Sequence, residues 1–345
     1  MSAVIKEYKG KKGVLLKIDN PFSKVNTLPL EALKEIHAVL DEIRNEADLT
    51  FILFHGSGGR IHAGADLSLF AGEINPRAVH EYLTAGTDLD LKIKEISRKV
   101  TTVSIMQGER YGGSVEWPLM AHYGVCTPDT GIQFSEVNIG IIPGWNGILN
   151  TVLRSGGENA LYLAATGNRI HAEEMLRSGL VSRIYPGETI LDEALDLAVS
   201  GGPPAQAPPE VLVSREDLDR MIAQRTDSRR YRELVREVAR KIEMGELEGN
   251  GKQGLSASKY INGKLKELGK PIAPRAAAAV FELIEKFPDV TWENGQGIKE
   301  MARAEVESCF RLMHTEDRRV GVNSVLTDNP LEKISTFSGN PEDGD

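Results

Sequence analysis

The sequence has few cysteines and no long apolar segment. Only Cys126 and Cys309 occur in 345 residues, both in apolar surroundings, which favours buried thiols in a reducing compartment over a disulfide framework. No apolar run approaches the ~18 residues that a membrane-spanning helix needs. The first residues, MSAVIKEYKGKKG, lack the apolar core of a signal peptide. We therefore expect a soluble, cytoplasmic protein.

Positive charge is also in the minority. The chain carries 41 Lys and Arg against 50 Asp and Glu, a formal net charge of -9, and no basic block stands out. Nucleic acid is therefore not expected as a partner. A phosphorylated small ligand needs only a few local cations and stays possible. The apolar share of 41% is ordinary for a globular protein with a real core, and the length allows one large domain with an appendage or two domains.

The stretch 107–144, QGERYGGSVEWPLMAHYGVCTPDTGIQFSEVNIGIIPG, combines glycine turns with two carboxylates. Gly112 and Gly113 predict a tight turn that opens a short helix, where backbone amides point outward without partners. An oxygen that gains negative charge suits such a position. Glu116 lies three residues after Gly113, and Glu136 follows further on. A polarised oxygen beside two carboxylates suffices for acid–base chemistry next to a carbonyl.

The remaining chain predicts alternating strands and helices. Residues 3–8 and 13–19 predict a hairpin, and 49–55 and 101–107 predict buried strands separated by a helix over 76–98. Each buried strand leads into a glycine-rich loop, which is typical of a parallel sheet with helical crossovers. Further helices are predicted at 29–45, 146–154, 158–166 and 171–178.

The composition changes at Gly201, where GGPPAQAPPE cannot be helical. Residues 214–244 predict a charged helix or helix pair, and 249–274 predict an irregular connection. The helical period returns over 275–287 and 297–313, and the last residues, GNPEDGD, predict a frayed tail.

Several of these stretches, in this order, resemble the crotonase (enoyl-CoA hydratase/isomerase) superfamily. HAGADLSLF at 62–70 resembles its first oxyanion loop, and QGERYGGSVEW at 107–117 resembles its second loop with the helix after it. FSEVNIGIIPGWNG at 134–147 resembles the segment with the second acid, and 165–186 resembles the closure of the core. The resemblance implies an α/β fold, a ClpP/crotonase-like spiral of ββα units with a helical carboxy-terminal part.

Carried over residue by residue, the resemblance implies a site for a coenzyme A thioester. It assigns the thioester oxygen to the backbone amides of Ala65 and Gly113, and the two catalytic acids to Glu116 and Glu136. Gly144 stands where the hydratase branch helps to hold the water. The substrate-binding residues that it implies are Ala63, Asp66, Leu67, Gly112, Trp117, Trp145 and Asn146. No metal or other cofactor is implied, because coenzyme A is part of the substrate.

Both acids together favour an enoyl-CoA hydratase, a lyase that adds water across the 2,3 double bond. Trp117 and Trp145 stand near the expected acyl pocket and suggest a cyclic or otherwise bulky acyl group. The alternatives are a ring-opening hydrolase acting on a 6-oxocyclohex-1-ene-1-carbonyl-CoA type of thioester, an enoyl-CoA isomerase, or a non-catalytic coenzyme A-binding homologue. The reaction would belong to fatty acid or aromatic acid degradation.

The resemblance also implies a division of the chain. Residues 1–200 would form the core with the active site, and 201–274 an insertion of helices and loops. Residues 275–338 would form a helical oligomerisation region, followed by a tail over 339–345. Members of this family commonly assemble as homotrimers, or as homohexamers that are dimers of trimers, so we expect the same here.

Overall fold

The computed structural model describes residues 2–18, 27–56, 62–204, 207–248 and 256–338. Its strands form a six-stranded sheet of order β1-β2-β3-β5-β7-β10 and a four-stranded sheet of order β4-β6-β8-β9. All neighbouring strands are parallel except the pairs β1–β2 and β8–β9. The strands are β1 Ser2–Tyr8, β2 Lys11–Ile18, β3 Leu49–Gly56, β4 His62–Ala63, β5 Thr101–Met106, β6 Glu109–Tyr111, β7 Tyr123–Cys126, β8 Gly131–Gln133, β9 Ile170–His171 and β10 Arg183–Ile184.

Helices cover these sheets and make up the carboxy-terminal part of the described chain. Of two short 3₁₀ turns, Leu67–Phe70 follows the first glycine-rich loop and Glu136–Ile139 follows β8. The helices are α1 Leu30–Ile43, α2 Pro76–Ser97, α3 Gly113–Leu119, α4 Gly147–Thr166, α5 Ala172–Arg177, α6 Ile190–Ser200, α7 Arg215–Thr226, α8 Ser228–Glu243, α9 Ala257–Leu268, α10 Pro274–Lys286, α11 Gly295–Leu312 and α12 Glu316–Leu326.

The strongest sequence patterns are confirmed. The central strand β3 buries Phe51, Ile52, Leu53 and Phe54, as expected of a parallel strand that is covered on both faces. Helix α2 begins where the sequence places Pro after Asn, because the Asn75 side chain accepts from the amides of residues 77 and 78 at 3.1 and 3.3 Å. The predicted hairpin, the charged helix pair and the α/β class with a helical carboxy-terminal part are also present.

Some elements differ from the predictions. Residues 257–268, predicted to be irregular, form α9, because Ala257 and Ile261 pack against α8 and this burial outweighs a glycine- and lysine-rich composition. Helix α6 was not predicted. The two helices predicted at 146–154 and 158–166 are confirmed within α4, where Gly156 is non-helical with φ 81° and ψ 166° and separates them. Residues 249–255 and the predicted tail at 339–345 lie outside the described residues.

The block 201–274 is joined to the core over part of its length. Leu218 on α7 is fully buried within the main hydrophobic core, and the backbone amide of Ala273 donates to the Val137 carbonyl at 3.0 Å. Helices α8 and α9 instead build a separate small cluster, which includes Tyr231, Leu234 and Ile334. Within this block, the helices that form a hydrophobic cluster apart from the main core therefore begin at α8. Among the described residues, no helix combines the length and apolar character needed to cross a membrane.

Candidate active site

The turn before α3 has the tight geometry that its two glycines predict. Gly112 has φ 55°, a backbone conformation that favours glycine, and its amide donates to the Gln133 carbonyl at 3.0 Å. Its own carbonyl accepts from the amides of Val115 and Glu116 at 2.7 and 3.3 Å. The chain therefore reverses at Gly112 and places the Glu116 side chain one turn into a buried helix.

The two glycine-rich loops meet at the start of α3. A methyl group on Gly64 would lie 2.3 Å from the Gly113 Cα, so the backbones touch where no side chain fits. The Gly64 amide donates to the Tyr111 carbonyl at 3.3 Å, which fixes the first loop to the second. Within the described residues, the amides of Ala65 and Gly113 donate to no protein acceptor. Both residues line the same cavity.

The Glu116 carboxylate is held by the Pro-Gly turn before α4. Its two oxygens accept from the Gly144 amide at 3.0 and 3.2 Å and from the Trp145 amide at 3.0 and 2.9 Å. The residue is 1% exposed. Two amide donors stabilise the ionised form of this carboxyl group.

Glu136 occupies the other side of the same cavity with fewer partners. It begins the 3₁₀ turn after β8, and a methyl group on Gly112 would lie 3.0 Å from its Oε1. Its Oε2 is buried and has no hydrogen-bond partner among the described residues. A buried carboxyl oxygen without a hydrogen-bond partner lowers the stability of the fold. Such an oxygen is typical of a group that finds its hydrogen-bond partner only when a ligand binds.

The two carboxyl groups have strongly perturbed proton affinities. Burial raises the pKa of Glu116 well above its ordinary value, the Glu136 and Glu305 carboxylates raise it further, and the Trp145 and Gly144 amides lower it. Burial raises the pKa of Glu136 to about 7. Because like charges in one apolar site cannot both ionise easily, we infer that the pair holds one proton near neutral pH. We take Glu116 as the ionised member, because its two oxygens accept from two backbone amides whereas Glu136 Oε2 has no partner among the described residues.

A third buried carboxylate supports the same backbone segment from α11. The Glu305 oxygens accept from the Ile148 and Leu149 amides at 3.1 and 2.9 Å, and burial raises the pKa of Glu305 to about 8. The residues from Gly144 to Leu149 are thus held at one end by Glu116 and at the other by Glu305. Helix α11 therefore helps to set the position of the carboxylate on α3.

These groups line a narrow cavity of about 40 Å³. Its polar part consists of Glu116, Glu136 and the backbone at Ala65, Gly113 and Gly144. The rest of its wall is formed by apolar and aromatic side chains and one thiol, from Phe70, Tyr82, Leu83, Ile141, Ile142, Trp145, Cys309 and Met313. A mostly apolar pocket with a few convergent polar groups and perturbed carboxyl groups is the usual form of an active site.

Comparison with known proteins identifies the family of this chain. The sequence profile of the family described as enoyl-CoA hydratase/isomerase matches residues 10–207, more than half of the chain. The chain belongs to the enoyl-CoA hydratase/isomerase family. The neighbours among solved structures are members of the same crotonase superfamily.

Several solved structures share the fold at low sequence identity. An enoyl-CoA hydratase from Rhodobacter sphaeroides 2.4.1 is 20% identical with a TM-score of 0.63, over 99% of this chain and 93% of that one. A carnitinyl-CoA dehydratase from Mycobacterium thermoresistibile is 18% identical with a TM-score of 0.67, over 99% and 94%. An enoyl-CoA hydratase from Bacillus halodurans is 16% identical with a TM-score of 0.58, over 93% and 99%.

Some of the predicted substrate-binding residues lie away from the cavity. Trp117 points into the core, where its ring meets Phe54 edge-on at 5.2 Å. Asn146 is fully buried beneath the cavity and donates to the Asp90 carboxylate at 2.7 Å. Asp66 is exposed, and its side chain accepts from the Ser68 amide at 3.0 Å.

The other predicted residues have backbone or peripheral positions. Ala63 belongs to β4 and pairs with Tyr111 of β6, and Leu67 is half-buried at the start of a 3₁₀ turn. Gly112 is the residue immediately before α3 and does not line the cavity itself. Trp145 does line it.

Sequence reasoning missed the residues that α2 and α11 contribute. Tyr82, Leu83, Cys309 and Met313 follow the same apolar period as ordinary core residues, so the pattern holds no signal that sets them apart. Glu305 did carry a signal. It stands four residues after Met301 and four before Cys309, on the face of α11 that is otherwise apolar and buried, and a charge there indicates a buried partner. Among the described residues, no group of three acidic, histidine or cysteine side chains could hold a metal ion.

Proposed function

We propose that this chain is an enoyl-CoA hydratase that adds water across the 2,3 double bond of an acyl-CoA thioester. The observation that carries the proposal is the convergence of Glu116 and Glu136 on the cavity that the amides of Ala65 and Gly113 line. Hydration moves two protons, one from water and one to carbon, and so uses two acid–base groups. An isomerase moves one proton between two carbons and can work with a single acid.

The proposed mechanism divides the work between the two acids. Glu116, ionised and held by two amides, takes a proton from water as its oxygen bonds to the β-carbon. The electron pair of the double bond moves onto the thioester oxygen, where the Ala65 and Gly113 amides stabilise the enolate. Glu136 then gives its proton to the α-carbon. The reaction uses no metal or redox cofactor, since the enolate itself carries the charge that develops.

Gly144 takes a different part in this mechanism from the one that the resemblance implies. Its amide donates to both oxygens of Glu116. We propose that it orients the base, and so places the water through Glu116. The homotrimer or dimer of trimers, the cytoplasmic location and a setting in fatty acid or aromatic acid degradation stay predictions.

An absorbance assay with product mass tests the function. Purified protein is mixed with linear and cyclic 2-enoyl-CoA thioesters, and loss of the conjugated-thioester absorbance is followed. We expect loss of absorbance with a mass gain of one water. Loss without any mass change would indicate isomerisation, and a gain of two waters would indicate ring opening. No change with any thioester, despite binding of coenzyme A esters, would favour the non-catalytic homologue.

The pH dependence of hydration follows from the shared proton. We expect a bell-shaped profile of kcat/KM, because the active form holds one proton on the pair. Activity should fall about tenfold per pH unit above about 7, where burial places the pKa of Glu136, since the proton donor is then lost. It should also fall at lower pH as Glu116 becomes protonated. Initial rates from pH 5 to 9 check this, and activity that rises steadily through pH 8 would contradict it.

A further inference from the structure

The indole of Trp145 forms a wall of the cavity beside the proposed oxyanion position. The residue is 2% exposed. Its Nε1 donates to the Tyr82 carbonyl at 3.3 Å, and the two rings meet edge-on with centroids 5.1 Å apart. Its backbone amide is also bound to Glu116. The side chain therefore cannot swing away without breaking a hydrogen bond, and the backbone cannot shift without releasing the proposed base.

Two glycines make room for this indole. A methyl group on Gly86, in the middle of α2, would lie 2.0 Å from the Trp145 Cδ1, and one on Gly113 would lie 2.7 Å from Cζ3. A glycine within a helix weakens it relative to alanine, so Gly86 has a packing reason to be there. The indole spans the distance from α2 to the first residue of α3, directly beside the amide proposed to bind the thioester oxygen.

The space that remains is small. The cavity volume is about 40 Å³, far below the roughly 300–1,000 Å³ of a typical ligand pocket. A four-carbon enoyl group, which has only three carbons beyond its carbonyl, suits such a space better than a longer chain. The sequence suggested a bulky acyl group from its aromatic residues, whereas here the aromatic side chain occupies the space that such a group would need.

We propose that Trp145 limits the substrate to short acyl groups of about four carbons, and that Gly86 leaves the space that the Trp145 indole fills. This inference rests on the proposed function, because it concerns the acyl group of the same thioester. Longer chains would have to displace an indole held by Tyr82 and by the backbone turn that carries the base. Trp145 is thus a specificity-determining residue that contacts the acyl group and takes no part in proton transfer.

A chain-length series with two tryptophan variants tests the proposal. The specificity constants for four-carbon and twelve-carbon trans-2-enoyl-CoA are measured for wild type, Trp145→Leu and Trp117→Leu. Each methylene that a pocket accepts or rejects changes the constant by about 10–200-fold. We expect wild type to prefer the short substrate by at least about 100-fold, and Trp145→Leu to reduce that ratio at least about tenfold. Trp117→Leu, which loses another buried indole that lies outside the cavity, should leave the ratio within about twofold of wild type.

Binding measurements separate this inference from the proposed function. Calorimetry with butanoyl-CoA and dodecanoyl-CoA reports the same preference without any reaction. A wild type that binds the short ester more tightly but hydrates neither substrate would refute hydration and support the role of Trp145. Equal affinity of wild type for the two esters, or an affinity ratio in Trp145→Leu that equals that of wild type, would overturn the proposed role of Trp145.

Thermal stability tests whether Gly86 makes room for the Trp145 indole, and this test needs no substrate. Gly86→Ala should lower the Tm in wild type, where the new methyl group meets the indole, and should raise or leave unchanged the Tm of Trp145→Leu. An equal loss in both backgrounds would show that Gly86 does not serve Trp145.

Discussion

Glu116→Gln and Glu136→Gln are each expected to lower kcat for hydration by about 10²–10⁴-fold while acyl-CoA binding persists. Glutamine keeps the size and part of the hydrogen bonding of glutamate but can neither take the proton from water nor give one to carbon. The burial of both side chains beside one cavity means that no bulk water replaces the missing proton transfer efficiently. Steady-state rates combined with calorimetric binding of a saturated acyl-CoA check both halves of the expectation.

Glu305→Gln is the matched control for these variants. Glu305 is as deeply buried as Glu116 and accepts from two backbone amides in the same way, but it does not line the cavity. We expect its loss to lower kcat less than about tenfold. Because burial raises the pKa of Glu305 to about 8, this group carries a proton below pH 7, and its replacement should leave the acid limb of the profile in place. Unchanged turnover in either site variant would remove that residue from the mechanism.

Gly113→Pro is expected to lower kcat by about 10²–10³-fold more than Gly113→Ala does. Removing one donor to a developing oxyanion typically has an effect of this size. Proline fits the first position of a helix but has no amide hydrogen. Alanine keeps the amide, yet its methyl group meets the Trp145 ring as proline would, at 2.7 Å from Cζ3. The comparison therefore removes the shared clash with the indole, and what remains is the loss of the donor together with the proline Cδ that replaces the amide hydrogen.

Circular dichroism and thermal melts of both Gly113 variants establish that they are folded. If a folded proline variant matches the alanine variant in kcat, the Gly113 amide does not stabilise the transition state. A loss confined to KM would show instead that the amide binds the substrate and the transition state equally.

The sequence predicts those parts of the site that depend on backbone chemistry and chain order. The Gly112–Gly113 turn, the glutamate one turn into α3 and the Pro143–Gly144 turn each leave a local pattern. The structure brings Glu116, Glu136, Gly144 and the Ala65 and Gly113 amides to a single cavity. The roles of these residues stay proposals, but their proximity could be anticipated.

The sequence could not predict the direction of individual side chains, because that direction depends on contacts between residues that are far apart in the chain. Trp117 and Trp145 are both aromatic neighbours of the motif, yet one packs against Phe54 and the other against Tyr82. The direction of each is set by its place on a helix or turn and by contacts from other elements. Gly86 has no local reason to interrupt α2, and the reason is seen only in the structure, where the indole of a tryptophan 59 positions later in the chain lies against it.

A crystal structure with a bound thioester tests the central claim most directly. Glu136→Gln protein, which we expect to bind without turnover, would be crystallised with a short trans-2-enoyl-CoA. The account predicts the thioester oxygen about 3 Å from the amide nitrogens of both Ala65 and Gly113, with the β-carbon facing Glu116. A thioester oxygen that contacts neither amide, or an acyl group directed away from the Glu116 carboxylate, would contradict it.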